Sequence, residues 1–242
     1  FAAEMEAVCR KNDAISLELY SRLGVKKGLR DENGSGVLAG LTNISTVLSS
    51  KMVDGKKVPC EGSLWYRGYP VEQLIDELGP TQLGYEKIAY LLLMGQMPTE
   101  QEAAEFRQLI GQCRTLPSNF TRDVIMKAPN RDIMNSMTRS ILTLASYDNN
   151  ASDISVQNSL QQCIRLISEF PLLAVYAYHA YNYSENMASM IIHRPDPTLS
   201  TAENLLMMLR PDQQYTATEA KVLDTALILH MEHGGGNNST FT

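Results

Sequence analysis

Beyond residue 69 the apolar positions of this chain recur every three or four residues almost without a break, whereas between residues 37 and 67 they do not. The first pattern predicts helices and the second short strands. Ala2 to Leu23 reads as one or two short helices with Ile15, Leu19 and Leu23 on one stripe, and Lys26 to Gly36 as a loop. Val37 to Leu41, Ile44 to Leu48 and Leu64 to Arg67 are strand candidates. Asp54-Gly55 between Val53 and Val58 is a hairpin-turn signal.

Pro70 suits the first turn of a helix running through Leu78. Tyr85 to Leu93 reads as a buried helix stopped at Gly95. Thr99 and Glu102 have capping-box spacing, in which each side chain satisfies a free backbone N–H of the other residue. They open a helix with Ala103, Phe106, Ile110 and Cys113 on one face. Thr121 to Lys127 is a short helix, and Ile133 to Tyr147 a longer one carrying Met134, Met137, Ile141, Leu144 and Ala145. Ile154 to Glu169 and Leu172 to Tyr183 form a helical stretch that Pro171 should kink or restart. Its second half alternates alanine with tyrosine, which suits close helix packing within the chain or against a second subunit; His179 there reads as a core or boundary residue. Ser200 with Glu203, and Thr216 with Glu219, are two further capping boxes. The first leads Leu205, Leu206, Met208 and Leu209 inward. The second opens a helix with Leu223, Ala226, Leu227 and Met231 on its apolar face. No repeat or linker forces a boundary, so the fold class is mainly α, with one small antiparallel β element near residues 37–67.

Composition alters this picture little. The 242 residues are 44% hydrophobic and 20% charged, ordinary for a globular chain. The net charge of −6 argues mildly against nucleic acid or an anionic membrane as partner. No apolar run approaches the ~20 residues that span a bilayer. Cys9, Cys60, Cys113 and Cys163 are scattered without C-x-x-C spacing, which fits reduced thiols in the cytoplasm; Cys113 and Cys163 read as core filler. The chain begins at Phe1 and stops at Thr242, just after its most glycine-rich run, and is expected to be a piece of a longer protein.

That run, His230-Met231-Glu232-His233-Gly234-Gly235-Gly236-Asn237, holds the candidate chemistry. His230 and His233 should lie on or beside the inward face of the last helix, with Gly234 stopping it in the left-handed conformation. A helix C-terminus attracts a cationic partner, while bare glycine N–H groups can form an anion-binding nest. The set suits a small anionic ligand; the plainer alternative is a glycine-rich helix stop with two satisfied histidines. The two histidines could also share a metal, but they lack H-E-x-x-H spacing and a third ligand nearby. No phosphate loop or G-x-S-x-G element is present.

Four segments resemble the citrate synthase family. The run just described resembles H-x-[DE]-H-x-G-G-N. Tyr66 to Leu74 (YRGYPVEQL) resembles Y-R-G-Y-x-[IV]-x-x-L, and Ala89 to Pro98 (AYLLLMGQMP) resembles A-Y-L-L-L-x-G-x-[LM]-P. Arg194-Pro195-Asp196-Pro197 with Leu199-Ser200 and Glu203-Asn204 resembles the segment ahead of the histidine element. The four fall in the family's order.

The resemblance implies a mainly helical homodimer that joins oxaloacetate to acetyl-CoA and hydrolyses the thioester, with acetyl-CoA as substrate and neither metal nor redox cofactor. It implies that His233 hydrogen-bonds oxaloacetate, that Asn237 lies beside the same site, and that His230 supports it. The family's enolising histidine in G-P-x-H-G and its second histidine in G-[FY]-G-H do not occur in these residues. Its base aspartate and the arginines that clamp the substrate carboxylates belong to the same absent part. Residues 1–242 would therefore be the first part of the large domain, without the small domain, inactive alone and meeting acetyl-CoA only through the rest of the protein. Glu232 stands where the motif more often has aspartate, and Gly234 where it more often has glutamate. A 2-methylcitrate synthase using propionyl-CoA, a non-catalytic helical dimerisation module and a metal-binding helical protein are the alternatives.

Overall fold

The computed structural model describes residues 16–24, 30 and 42–232. The chain divides into two compact units, Phe1–Asn43 with Gly235–Thr242, and Ile44–Gly234. In the first, α1 spans Leu17–Leu23 between the side chain of Ser16, which accepts from the Glu18 N–H, and Gly24 at φ 63°. The strand candidate Val37 to Leu41 lies outside the described residues, as does Cys9.

The second unit opens with the expected antiparallel sheet of β1 (Ser45–Val53), β2 (Lys56–Tyr66) and β3 (Tyr69–Pro70), in that order. Asp54 and Gly55 turn the hairpin with positive φ at both positions, 49° and 74°, the geometry whose twist matches the flanking strands. Ser45 pairs with Tyr66, and the register shifts between Leu48 and Ser50, next to Pro59. A proline has no N–H for the ladder, so an irregularity there is expected.

Helices follow: α2 (Val71–Leu78), α3 (Tyr85–Met94), α4 (Glu100–Gln112), α5 (Ile133–Ala145), α6 (Val156–Glu185), α7 (Thr201–Leu209) and α8 (Ala217–Leu229). A single π-helical turn, Thr121–Ile125, stands where a short helix was expected. Thr99–Glu102, Ser200–Glu203 and Thr216–Glu219 all form complete capping boxes, and Gly95 closes α3 at φ 81°. No helix among the described residues is long and apolar enough to cross a membrane.

Several expectations need correction. Helix α6 runs through Pro171 as one 30-residue helix, without a restart. Leu172 and Leu173 beside the proline are 2% and 0% exposed, and that burial offsets the ~3 kcal/mol that an internal proline costs. Met134 of α5 is 70% exposed; Leu144 is buried and Met137 and Ile141 pack against the core as expected, with Ser136 and Ser140 buried beside them. Cys163 is exposed because the inward position is its neighbour Ile164. Leu209 is also exposed, while Met207 and Met208 are buried. Within the alanine–tyrosine stripe, Tyr176, Ala177 and Ala180 pack in the chain's own core, and Tyr178 and Tyr183 face outward. His179 is a core residue, with Nε2 3.2 Å from the Met208 carbonyl.

Three apolar clusters result among the described residues. The largest gathers the middle of α6, the inner face of α7, Phe120, Ile125 and Leu144. A second joins Tyr66 to α2, α3 and Ile228 of α8. A third packs Ala89 of α3 against Phe106 and Ile110 of α4 and Ile164 of α6.

Gly111 near the end of α4 is set against the Arg194–Pro197 segment, where an added Cβ would lie 2.1 Å from the Pro197 carbonyl oxygen. Backbone cannot yield as a side chain can. Gly111→Ala should therefore destabilise by about 1–3 kcal/mol through overpacking, although alanine is the better helix former. Urea unfolding of the two proteins checks the sign; a more stable variant contradicts the close approach.

Candidate functional site

The candidate residues follow α8, so the site is built by whatever holds that helix. Its start is fixed twice. The Thr216 N–H donates to Glu219 Oε2 at 2.8 Å, and the Glu219 N–H to Thr216 Oγ1 at 3.2 Å. Arg210, the C-cap of α7, donates to both oxygens of the same carboxylate. These charge-assisted bonds hold the Glu219 carboxyl down at about 2, Arg210 contributing most.

The inward face of α8 is Ala220, Asp224 and Ile228. It lies one residue round from the predicted face, whose Leu223, Ala226, Leu227 and Met231 are only half-buried. Asp224 explains the offset. It is 0% exposed and accepts from the N–H groups of Gly84 at 2.8 Å and Tyr85 at 3.0 Å. Gly84 is the N-cap of α3 and has no side chain with which to cap, so α8 supplies the carboxylate that the positive end of α3 favours. Burial pushes the Asp224 carboxyl up and outweighs the lowering by its two backbone donors. The neighbouring phenol of Tyr85 is pushed up to about 12, chiefly by burial.

At the far end α8 stops at Leu229, with His230 as C-cap at φ −108°. The expected stop at Gly234 is thus preceded by an earlier one. The imidazole of His230 is exposed, not inward, because the inward line passes through Ile228 and then Met231. Nδ1 of His230 lies 2.7 Å from the Ala226 carbonyl, an acceptor to which it donates. His233, Gly234, Gly235, Gly236 and Asn237 lie outside the described residues.

The other recognised segments converge on α8 and α3. Tyr66, fully buried, donates its hydroxyl to the Ile228 carbonyl at 2.8 Å. Arg67 beside it, at φ 47°, donates through Nε and Nη2 to the Leu92 carbonyl near the end of α3, at 3.1 and 2.7 Å. Glu86 of α3 is buried and accepts from the Thr201 N–H at 2.7 Å and from the Thr201 hydroxyl at 2.8 Å, at the start of α7. Arg114 completes that network: Nη2 lies 3.5 Å from Glu86 and donates to Thr201 Oγ1, while Nη1 donates to the Leu199 carbonyl at 2.6 Å. The Asn204 side chain closes the Arg194–Leu199 segment by bonding both the N–H and the carbonyl of Asp196, each at 2.8 Å.

Asp224, Glu86 and Arg114 escaped the sequence reading. Their partners are 140, 115 and 85 residues away; for Asp224 the available signal was a charged residue inside an otherwise apolar face. Among the described residues, no group of three histidine, cysteine or acidic side chains could hold a metal.

This helical packing around one small sheet is the fold class of the citrate synthases. Residues 32–242 match the family model for the citrate synthase C-terminal domain. The chain belongs to the citrate synthase family. It is 26% identical over 238 residues to the peroxisomal citrate synthase 1 of Arabidopsis thaliana, covering 86% of this chain and 46% of that protein. It is also 26% identical over 206 residues to the citrate/2-methylcitrate synthase of Bacillus subtilis, covering 85% and 49%. The citrate synthase of Thermoplasma acidophilum, solved as a ternary complex with carboxymethyl coenzyme A and oxaloacetate, shares the fold. That match has a TM-score of 0.69 at 22% identity, over 84% of this chain and 48% of that one. The chain thus spans about half the length of the curated relatives it matches.

The Arg210–Glu219 junction sets an acid limit. A carboxyl held below its ordinary 4.5 in the folded state gives stability that is complete above pH 4.5 and is lost as the pH falls towards about 2. Glu219→Gln should flatten that part of the profile, so that the urea midpoints of the two proteins converge near pH 2. A constant difference between them down to that pH contradicts the assignment.

Proposed function

We propose that the full-length parent of this chain is a citrate synthase, condensing oxaloacetate with acetyl-CoA to give citrate and CoA. In this reading residues 1–242 are the first part of the large domain, and they form one wall of the oxaloacetate site. His233 donates a hydrogen bond to the oxaloacetate keto oxygen, Asn237 lies beside the same ligand, and His230 supports the turn. The observation that carries the reading is the convergence of the recognised segments on α8. Tyr66 and Arg67 hold the ends of α8 and α3, and Asp224 ties the two helices together, so the backbone leading to His233 is braced from several elements.

The chemistry divides between this chain and the remainder of the parent. A base there removes a proton from the acetyl methyl, and the resulting enol carbon attacks the keto carbon of oxaloacetate. The keto oxygen gains negative charge as the new carbon–carbon bond forms, and the donor on His233 faces that charge. Water then cleaves the citryl thioester, releasing CoA. Neither metal nor redox cofactor enters these steps.

The name of the Bacillus subtilis relative favours a second reading, 2-methylcitrate synthesis from propionyl-CoA; relative turnover of the two acyl-CoAs by the parent decides between them. The outward-facing Tyr178 and Tyr183 of the alanine–tyrosine stripe on α6 support a homodimer built on that helix. A helical dimerisation module without catalysis would share that face but show no turnover in the parent. A cytoplasmic location belongs to the same reading, supported by Cys60, Cys113 and Cys163, all free thiols.

His233→Ala in the full-length parent should lower turnover by a factor of about 10²–10³, the usual loss of one preorganised donor at a developing oxyanion. A thiol-release assay with oxaloacetate and acetyl-CoA reads it, and the isolated 242-residue chain should give no signal above blank. An unchanged rate in the variant removes the role assigned to His233.

A further inference from the structure

Tyr66 closes β2, and its ring sits among Val71, Leu74, Leu78, Ile88, Leu91 and Ile228. A phenylalanine would fill that apolar space equally well. The hydroxyl is what differs, and it reaches only backbone. It donates to the Ile228 carbonyl at 2.8 Å and lies 3.3 Å from the Glu232 carbonyl. One proton shared between two acceptors makes the shorter contact the main bond and the longer one a weaker branch. Burial pushes the phenol's titration upward, so the hydroxyl keeps its proton at neutral pH.

The two acceptors bracket the turn that leaves α8. Ile228 belongs to the last helical turn, whose carbonyls lack intrahelical partners, and Glu232 immediately precedes His233 in sequence. Across that turn the His230 N–H reaches the Leu227 carbonyl at 3.1 Å and the Met231 N–H the Ile228 carbonyl at 3.4 Å. The phenol hydroxyl ties both ends of the turn to one point in the sheet.

We propose that Tyr66 is a positioning residue for His233: its hydroxyl clamps the Ile228 and Glu232 carbonyls and so fixes the stretch of backbone that immediately precedes His233 in sequence. This rests on the reading of His233 as the oxaloacetate donor. The clamp acts through the backbone, so its loss misplaces the donor without altering the acyl-CoA side of the reaction.

The test is Tyr66→Phe in the full-length parent, with Tyr69→Phe on the exposed side of the same turn as control. The Michaelis constants for oxaloacetate and acetyl-CoA, kcat and the thermal midpoint are measured for each. Tyr66→Phe should raise the oxaloacetate KM about tenfold, the scale of one hydrogen bond, and leave the acetyl-CoA KM within about twofold, whereas Tyr69→Phe should change neither. Amide hydrogen exchange should quicken at residues 230–233 while the middle of α8 keeps its protection. An unchanged oxaloacetate KM in an active, folded Tyr66→Phe protein overturns the clamp while leaving the function intact. Equal rises in both KM values, or a fall in thermal midpoint alone, reduce Tyr66 to a structural residue. A wild-type parent without condensation activity overturns the functional reading, and the clamp falls with it.

Discussion

Helix ends in a protein interior need partners, and here the decisive partners come from other elements. The last carbonyls of a helix and its first N–H groups have none within the helix, and a buried group left unpaired costs about 1–3 kcal/mol. Helix α3 receives its N-terminal cap from Asp224 of α8. Near its other end, the Leu92 carbonyl receives Arg67 from the sheet. Helix α8, having given that cap, is held at its own end by the phenol of Tyr66. Sheet, α3 and α8 thus form a closed loop of mutual dependence, and the second apolar cluster fills its interior. Shifting α8 by one turn would unpair the Asp224 and Tyr66 contacts together.

A second long-range network fixes the segment ahead of α7. Glu86 and Arg114 are both buried, their side chains 7% and 1% accessible. An isolated buried charge would be prohibitive, but each has backbone or hydroxyl partners besides the other. The carboxylate accepts from the first N–H of α7, and the guanidinium donates to the Leu199 carbonyl just before it. What the ion pair secures is the place of a loop, since buried pairs contribute little net stability on their own.

Much of this architecture was legible in the sequence where the governing interaction is local. Capping boxes span only four residues, and all three formed as the spacing required. Asp54-Gly55 needs only its own φ angles to turn a hairpin, and Gly95 only its own to end α3. Legibility failed where the partner is distant. Asp224 was not read as inward-facing, because its partner Gly84 lies 140 residues away, so the inward face was set one residue off and His230 was expected on or beside it. Pro171 was expected to kink or restart its helix because its local cost is large, whereas the helix runs through it with Leu172 and Leu173 buried beside it. The family itself was legible because its motifs are the places where these long-range contacts land: Tyr66, Arg67 and Asn204 all lie in recognised segments, and each holds another piece of backbone.

The histidine element gains its meaning from that scaffold. A glycine-rich run after a helix is common; one that leaves a helix braced at both ends by buried polar contacts can place a donor reproducibly. Under the proposed function, preorganisation of this kind would let the His233 imidazole meet a developing oxyanion without reorganising at the moment of reaction. The direct measurement is a crystal structure of the full-length parent soaked with oxaloacetate. The expected result is a ring nitrogen of His233 within hydrogen-bonding distance of the ligand's keto oxygen, with the chain before it running from Ile228 past the phenol of Tyr66. Oxaloacetate ordered at a site that His233 does not reach would contradict it.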